Sequence, residues 1–191
     1  MEKSVMIEKL KDYLPEKRWT HSLNVARAAV KLSELVGCDS QKAEIAGILH
    51  DTAKYVKLAD VGSYCEKYNI QLDEMEKKST ALSHSVLGYY IAKYEFGIED
   101  EDILSAIRYH TTAKPGMNIL EKIIYVADVI EVGRDYPGVD DLREVAYSGD
   151  LDRAVLMALD NAIMSVIRKK APLHLRTIEA RNYYLTQVKS K

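Results

Sequence analysis

Residues 46–55 read AGILHDTAKY. An apolar run from Ile45 to Leu49 leads straight into His50 and Asp51, and Lys54 follows. Apolar residues on both sides mark a buried helix, yet an imidazole, a carboxylate and an amine stand at its end. Burying such groups without partners is costly. The stretch therefore asks for partners elsewhere in the chain.

Working outward, the pattern is helical almost everywhere. Residues 17–36 place Leu23, Ala26, Val30 and Leu35 at three-to-five spacing, and Gly37 can close that helix. Asp39 or Ser40 can cap the next, over 41–53. Further helices are expected over 58–69, 81–97 and 100–112, the last stopping at or before Lys114 because Pro115 follows. Residues 117–132 are apolar on most sides and central to the core. A turn-rich loop over 133–140 precedes two closing helices, 151–170 and 173–188, parted by Pro172. No strand alternation, repeat or long linker interrupts this. The expected fold is an all-α bundle of about nine or ten helices in a single domain, 1–191.

Of the 191 residues, 47% are hydrophobic and 29% charged, as in ordinary globular proteins. The net charge of -2 argues against nonspecific binding to nucleic acid or to anionic membrane. No apolar run approaches the roughly 18 residues of a membrane span. The N-terminal residues are charged throughout, unlike a signal peptide. Cys38 and Cys65 form no CxxC pair and suggest a reducing compartment, so a cytoplasmic location is expected. A homodimer is left open.

There is no GxxxxGK[ST] phosphate loop, GxGxxG turn, GxSxG elbow or clustered cysteine set. Reactive groups must come from scattered histidines and carboxylates. The histidines are His21, His50, His84, His110 and His174, and Asp128 interrupts the apolar run IIYVADVI. Taken singly, each has a plain structural role. His21 can bond a backbone carbonyl, His84 can neighbour a helix N-cap, and His110 suits a helix C-terminus. Asp128 can pair with Lys122 or Arg134. Together, His21, His50, Asp51 and Asp128 form a metal-ligand set spread over three helices, which is how helical bundles build metal centres. Imidazole and carboxylate donors suit iron, manganese, zinc or nickel better than magnesium or calcium.

The order His21, His50-Asp51, Asp128 resembles the motif of the HD-domain superfamily of metal-dependent phosphohydrolases. The segments RWTHSLNVA, AEIAGILHDTAK, LSHSVLGYYIA, AIRYHTTAKPGMNILEKIIYVADVIEVGRDYPGV and TIEARNYYL resemble the YqeK family of bacterial HD proteins more closely. They cover nearly the whole chain. The motif-bearing core runs over about 18–135, with closing helices over about 150–190. The resemblance implies an HD-domain helical bundle and a symmetrical hydrolase of diadenosine tetraphosphate (Ap4A), iron-dependent and yielding two ADP. It implies two transition-metal ions. One is held by His21, His50, Asp51 and Asp128; the second by His84 and His110, with Asp51 bridging. Metal-bound hydroxide is then the expected nucleophile.

Lys54 lies three residues after Asp51, and Arg18 three before His21, so each shares a helix face with a ligand. The resemblance makes both phosphate contacts and members of the catalytic group. It also places Thr111, Thr112, Lys114, Glu131 and Arg134 beside substrate. The chain departs from the family pattern at Ala113, Val129 and Val132. His174 is read as structural. The rival readings are another HD phosphohydrolase, such as a nucleotidase or cyclic-dinucleotide phosphodiesterase, and a catalytically silent nucleotide or metal sensor.

Overall fold

Side-chain caps and left-handed residues divide the chain into helices. The computed structural model describes residues 2–189. Among them it has ten α-helices and no strand. These are α1 (Lys3–Leu10), α2 (Glu16–Val36), α3 (Ser40–Leu49), α4 (Val61–Tyr68) and α5 (Thr80–Tyr94), then α6 (Glu101–Tyr109), α7 (Ile119–Ile130), α8 (Val139–Tyr147), α9 (Leu151–Arg168) and α10 (Leu175–Lys189). Short 3-10 turns precede α4 and α5. No helix among the described residues is long and apolar enough to cross a membrane.

Local chemistry accounts for most of these boundaries. Gly37, at φ 70°, ends α2 in the left-handed conformation that glycine adopts without strain. The Asp39 carboxylate accepts the backbone N–H groups of Gln41 and Lys42 and so caps α3. Asp100 caps α6 in the same way. Asn118 and Glu121 form a reciprocal capping box at the start of α7. That box fixes where the most apolar helix begins.

Three details differ from the sequence expectation. Helix α3 stops at Leu49, and residues 50–54 continue as turns with bonds from Thr52 N to Leu49 O and from Lys54 N to Asp51 O. The tighter i to i-3 pattern turns His50, Asp51 and Lys54 toward one region. Helix α6 stops at Tyr109, and Ala113 adopts φ 55°, a left-handed conformation that ends the turn. Helices α1 and α8 were not expected as elements. The loop expected over 133–140 ends early because Val139, Leu142 and Ala146 bury one face, while Asp140 and Asp141 favour the first turn of α8.

Helix α7 forms the centre, with Leu120, Ile123, Ile124, Val126, Ala127 and Ile130 buried. Helices α2, α6 and α9 pack around it. Helix α3 lies against α2 at Gly47, where an added Cβ would fall 2.6 Å from the Ala26 Cα. Only glycine permits that approach, and it brings His50 toward His21. Gly88 brings α5 close to the same segment: a Cβ there would lie 3.3 Å from Ile107 Cγ2 and 3.5 Å from the His50 carbonyl.

Candidate metal centre

Four histidines from four regions of the bundle are held by the same device. In each, Nδ1 donates its proton to a fixed acceptor. His50 donates to Gly47 O at 2.8 Å, His84 to Thr80 O at 3.1 Å and His110 to Ile107 O at 2.7 Å. These are carbonyls three or four residues earlier in the chain. His21 instead donates to Glu131 Oε1 at 3.1 Å. Each imidazole is thereby fixed as the tautomer whose Nε2 carries a lone pair.

Those Nε2 atoms converge on Asp51, which is 1% exposed. Asp51 Oδ1 lies 3.2 Å from His84 Nε2 and 3.5 Å from His110 Nε2, and the two nitrogens are 3.1 Å apart. Asp51 Oδ2 lies 3.6 Å from His50 Nε2 and 3.9 Å from His21 Nε2. Asp128 Oδ1 closes that second group, 3.0 Å from His21 Nε2 and 3.8 Å from His50 Nε2. Asp51 thus turns one oxygen to each group.

The arrangement is short of protons. His21 Nε2 and His50 Nε2 are buried and have no hydrogen-bond partner, and Asp51 Oδ1 has only the Lys54 ammonium, 3.3 Å away, as a cationic neighbour. His84 and His110 face each other through two lone pairs, relieved only by the Thr111 hydroxyl at 3.2 and 3.1 Å and the Lys54 ammonium at 3.1 Å from His84. Buried acceptors crowded together without donors are costly unless a cation lies between them. Donor atoms about 2.1 Å from one cation sit about 3.0–3.4 Å apart, which matches the tighter group and approaches the wider one. The donor set therefore fits a divalent metal site, and both groups could hold an ion.

Electrostatics reinforce this. Burial pushes His50 and His84 down to about 4, so both imidazoles are neutral at neutral pH. Burial alone would raise Asp51, but His50, His110, His84 and Lys54 outweigh it and hold the carboxyl well below the usual range. Asp128 behaves alike, with His21, His50 and Arg134 overcoming burial.

Three cations ring the cluster. Arg18 reaches Asp51 Oδ2 at 2.9 Å, and Lys54 reaches Asp51 Oδ1 at 3.3 Å. Arg134 reaches Asp128 Oδ1 at 2.5 Å. The ion pair foreseen for Asp128 is thus made with Arg134, while Lys122 pairs with Asp152. Glu131 is buried and receives both His21 and the Gly133 N–H, so it orients a histidine. Thr111 stands at the cluster, but Thr112 and Lys114 are engaged elsewhere. The Thr112 carbonyl accepts from Thr177 on α10, and the Lys114 ammonium lies 2.7 Å from Glu121 in the α7 capping box. His174 lies outside the cluster and bonds Asp73. Arg143 went unread in the sequence. From α8 it donates to the carbonyls of Ile130, Glu131 and Arg134, clamping the loop that carries two cluster residues. Only the absence of an obvious partner for a half-buried arginine could have signalled it.

A cleft of about 430 Å³ opens beside the cluster and is lined by Arg18, His21, Tyr55, Glu131 and Arg134. A more apolar cleft of about 410 Å³, bordered by Val129, Tyr136 and Met164, includes none of the six ligand candidates.

Comparison with known proteins places the chain among its relatives. The HD domain family model matches residues 18–133. The symmetrical bis(5'-nucleosyl)-tetraphosphatase of Staphylococcus aureus is 41% identical over 91% of this chain and 90% of its own length. The protein of the same name from Bacillus subtilis is 38% identical, covering 93% and 94%. A crystal structure from Clostridium acetobutylicum, described as a predicted HD superfamily hydrolase involved in NAD metabolism, superposes with a TM-score of 0.93. It is 43% identical, and the match covers 98% of both chains.

Proposed function

The chain belongs to the HD-domain family, and on that footing we propose that it hydrolyses Ap4A symmetrically to two ADP. The observation that carries the reading is the convergence of four Nε2 lone pairs and the Asp128 carboxylate around one buried carboxylate, Asp51, beneath a cleft rimmed by cations. Full-length relatives of that activity supply the substrate class.

His21, His50, Asp51 and Asp128 would hold one ion. Asp51, His84 and His110 would hold a second. The separate aim of the two Asp51 oxygens supports a bridging role. Four imidazoles and two carboxylates suit iron, manganese, zinc or nickel, and iron is the first choice by family resemblance. Such ions, when bound, supply Lewis acidity at the attacked phosphoryl group.

The remaining chemistry falls to the chain's own side chains. Arg18 and Arg134 face the cleft and can pair with phosphate oxygens, Arg18 from α2 and Arg134 from the loop after α7. Lys54 stands between Asp51 and His84 and offsets charge as water displaces ADP from an inner phosphorus. The departing ADP keeps the bridging oxygen. Thr111 offers a hydroxyl to the same oxygens. Glu131 holds the His21 ring and borders the cleft. Two unpaired thiols, Cys38 and Cys65, accord with a cytoplasmic enzyme.

The test is turnover of Ap4A by purified protein supplied with iron or manganese, with products separated by chromatography. Two ADP per Ap4A is the expected result, abolished by chelation and restored by metal. AMP plus ATP would exclude the symmetrical cut, and no turnover by the metal-loaded protein would overturn the reading.

A further inference from the structure

We propose that Tyr55 is the platform on which a nucleobase of the substrate stacks, at the outer lip of the cation-rimmed cleft. This rests on the nucleotide-hydrolase reading above and deepens it by assigning the base-binding end of the site.

Tyr55 directly follows Lys54, whose ammonium touches Asp51 and His84. It lines the same cleft as Arg18, His21 and Arg134. At 56% exposure it is among the most exposed aromatic residues of the chain. No aromatic partner covers its ring, unlike the tyrosines of α4 and α5, where Tyr68, Tyr90 and Tyr94 stack on one another. An uncovered tyrosine ring offers a flat apolar face for stacking. Here it stands next to the residues that would hold phosphate.

The order of groups matches a nucleotide. The cluster lies innermost, under 2% exposed at His50, Asp51 and His84. Arg18 and Arg134, at 28% and 34% side-chain exposure, stand further out. Tyr55 is the most exposed of the set. A polyphosphate seated over the cluster and the guanidinium groups leaves its nucleoside at the mouth, where the tyrosine ring stands. The cleft volume of about 430 Å³ falls within the roughly 300–1,000 Å³ typical of small-ligand sites. Lys17 and Asn24 border it with polar groups for the ribose or base edge.

The experiment measures binding, so it does not depend on turnover. Affinities for ADP and for inorganic pyrophosphate are measured by calorimetry on metal-loaded wild type, Tyr55→Ala and Tyr55→Phe. Base stacking on an aromatic side chain predicts a loss of roughly 10-fold in ADP affinity for Tyr55→Ala. Tyr55→Phe should keep wild-type affinity, and pyrophosphate should bind all three proteins equally. Equal loss for ADP and pyrophosphate would mean the residue acts on the phosphate site and would overturn the proposal. So would unchanged ADP affinity in Tyr55→Ala, or a wild type that binds ADP no better than pyrophosphate. If wild type fails to cleave Ap4A yet shows the stacking pattern, the assigned reaction falls and the nucleobase platform stands.

Discussion

Around Asp51, four histidines donate from Nδ1 and turn Nε2 inward, those of His21 and His50 with no hydrogen-bond partner; around His174, both ring nitrogens are used. The second cluster contains Asp73, Glu76 and His174, close enough together to hold a metal ion. Yet His174 Nε2 donates to Asp73 Oδ2 at 2.8 Å, and its Nδ1 accepts the Arg176 N–H at 3.1 Å. Glu76 accepts from Arg108 at 2.8 Å and from the Asp73 N–H at 3.0 Å. Donors and acceptors balance there, so the cluster acts as a latch between α10 and the turn before α5. Closeness of histidines and carboxylates does not distinguish the two regions. Unspent lone pairs do.

The strongest way to break the distinction is a pair of substitutions. Asp51→Ala should abolish stoichiometric metal binding and drop Ap4A turnover to background. That loss exceeds the roughly 10²–10³-fold of a single transition-state donor, because both donor groups lose a shared ligand. His174→Ala should leave metal content and turnover intact and destabilise the fold by about 1–3 kcal/mol, through the unpaired groups it leaves. Metal analysis, product assays and thermal melts on both variants decide it. Near-normal turnover in folded Asp51→Ala, or lost metal in His174→Ala, would erase the difference.

A smaller effect sharpens the picture inside the metal centre itself. His50, His84 and His110 are oriented by backbone carbonyls three or four residues earlier, which substitution cannot remove. His21 depends on a side chain, Glu131. Glu131→Ala should therefore weaken metal affinity by about 10–100-fold, as removal of such orienting groups does elsewhere, with the fold retained. Competition against a calibrated chelator measures it. Unchanged affinity would show that packing alone aims the His21 ring.

This contrast also explains what the amino-acid order could reveal. His50, Asp51 and Asp128 were legible because they end or interrupt apolar runs, and His21 because it lies beside an apolar helix face; His84 and His110 joined them only through the family resemblance. The other five meet around Asp51. The helices over 16–36 and 119–130 were legible through Gly37 and through dense apolar spacing. Pairings set by tertiary approach were not. Nothing near His174 announces Asp73, 101 residues away. Lys114 looked free for substrate until the capping box brought Glu121 to it. The spacing of α2 and α3 depends on Gly47 meeting Ala26, which is a fact about two helices that neither states alone. Tyr55 carried no signal beyond its place after Lys54.

The smallest expected effect lies in the latch and depends on pH. Partial burial works to raise Asp73, but the Glu76 N–H, the His174 imidazole and the Met75 N–H outweigh it, so its carboxyl sits below the ordinary value of 3.8. A carboxylate lowered in the folded state adds stability above its unfolded pKa and loses it as pH falls through the folded one. Wild type should therefore melt above Asp73→Asn at neutral pH. The gap should hold down to about pH 5 and close progressively below about 3.8. With 42% of its side chain exposed, Asp73 is well screened, so the shift should be a few degrees at most. Metal content at neutral pH should not change. A melting difference that stays constant through the acid range would mean the Asp73–His174 bond acts by shape and not by charge, and the latch would then owe its strength to Glu76 and the two arginines.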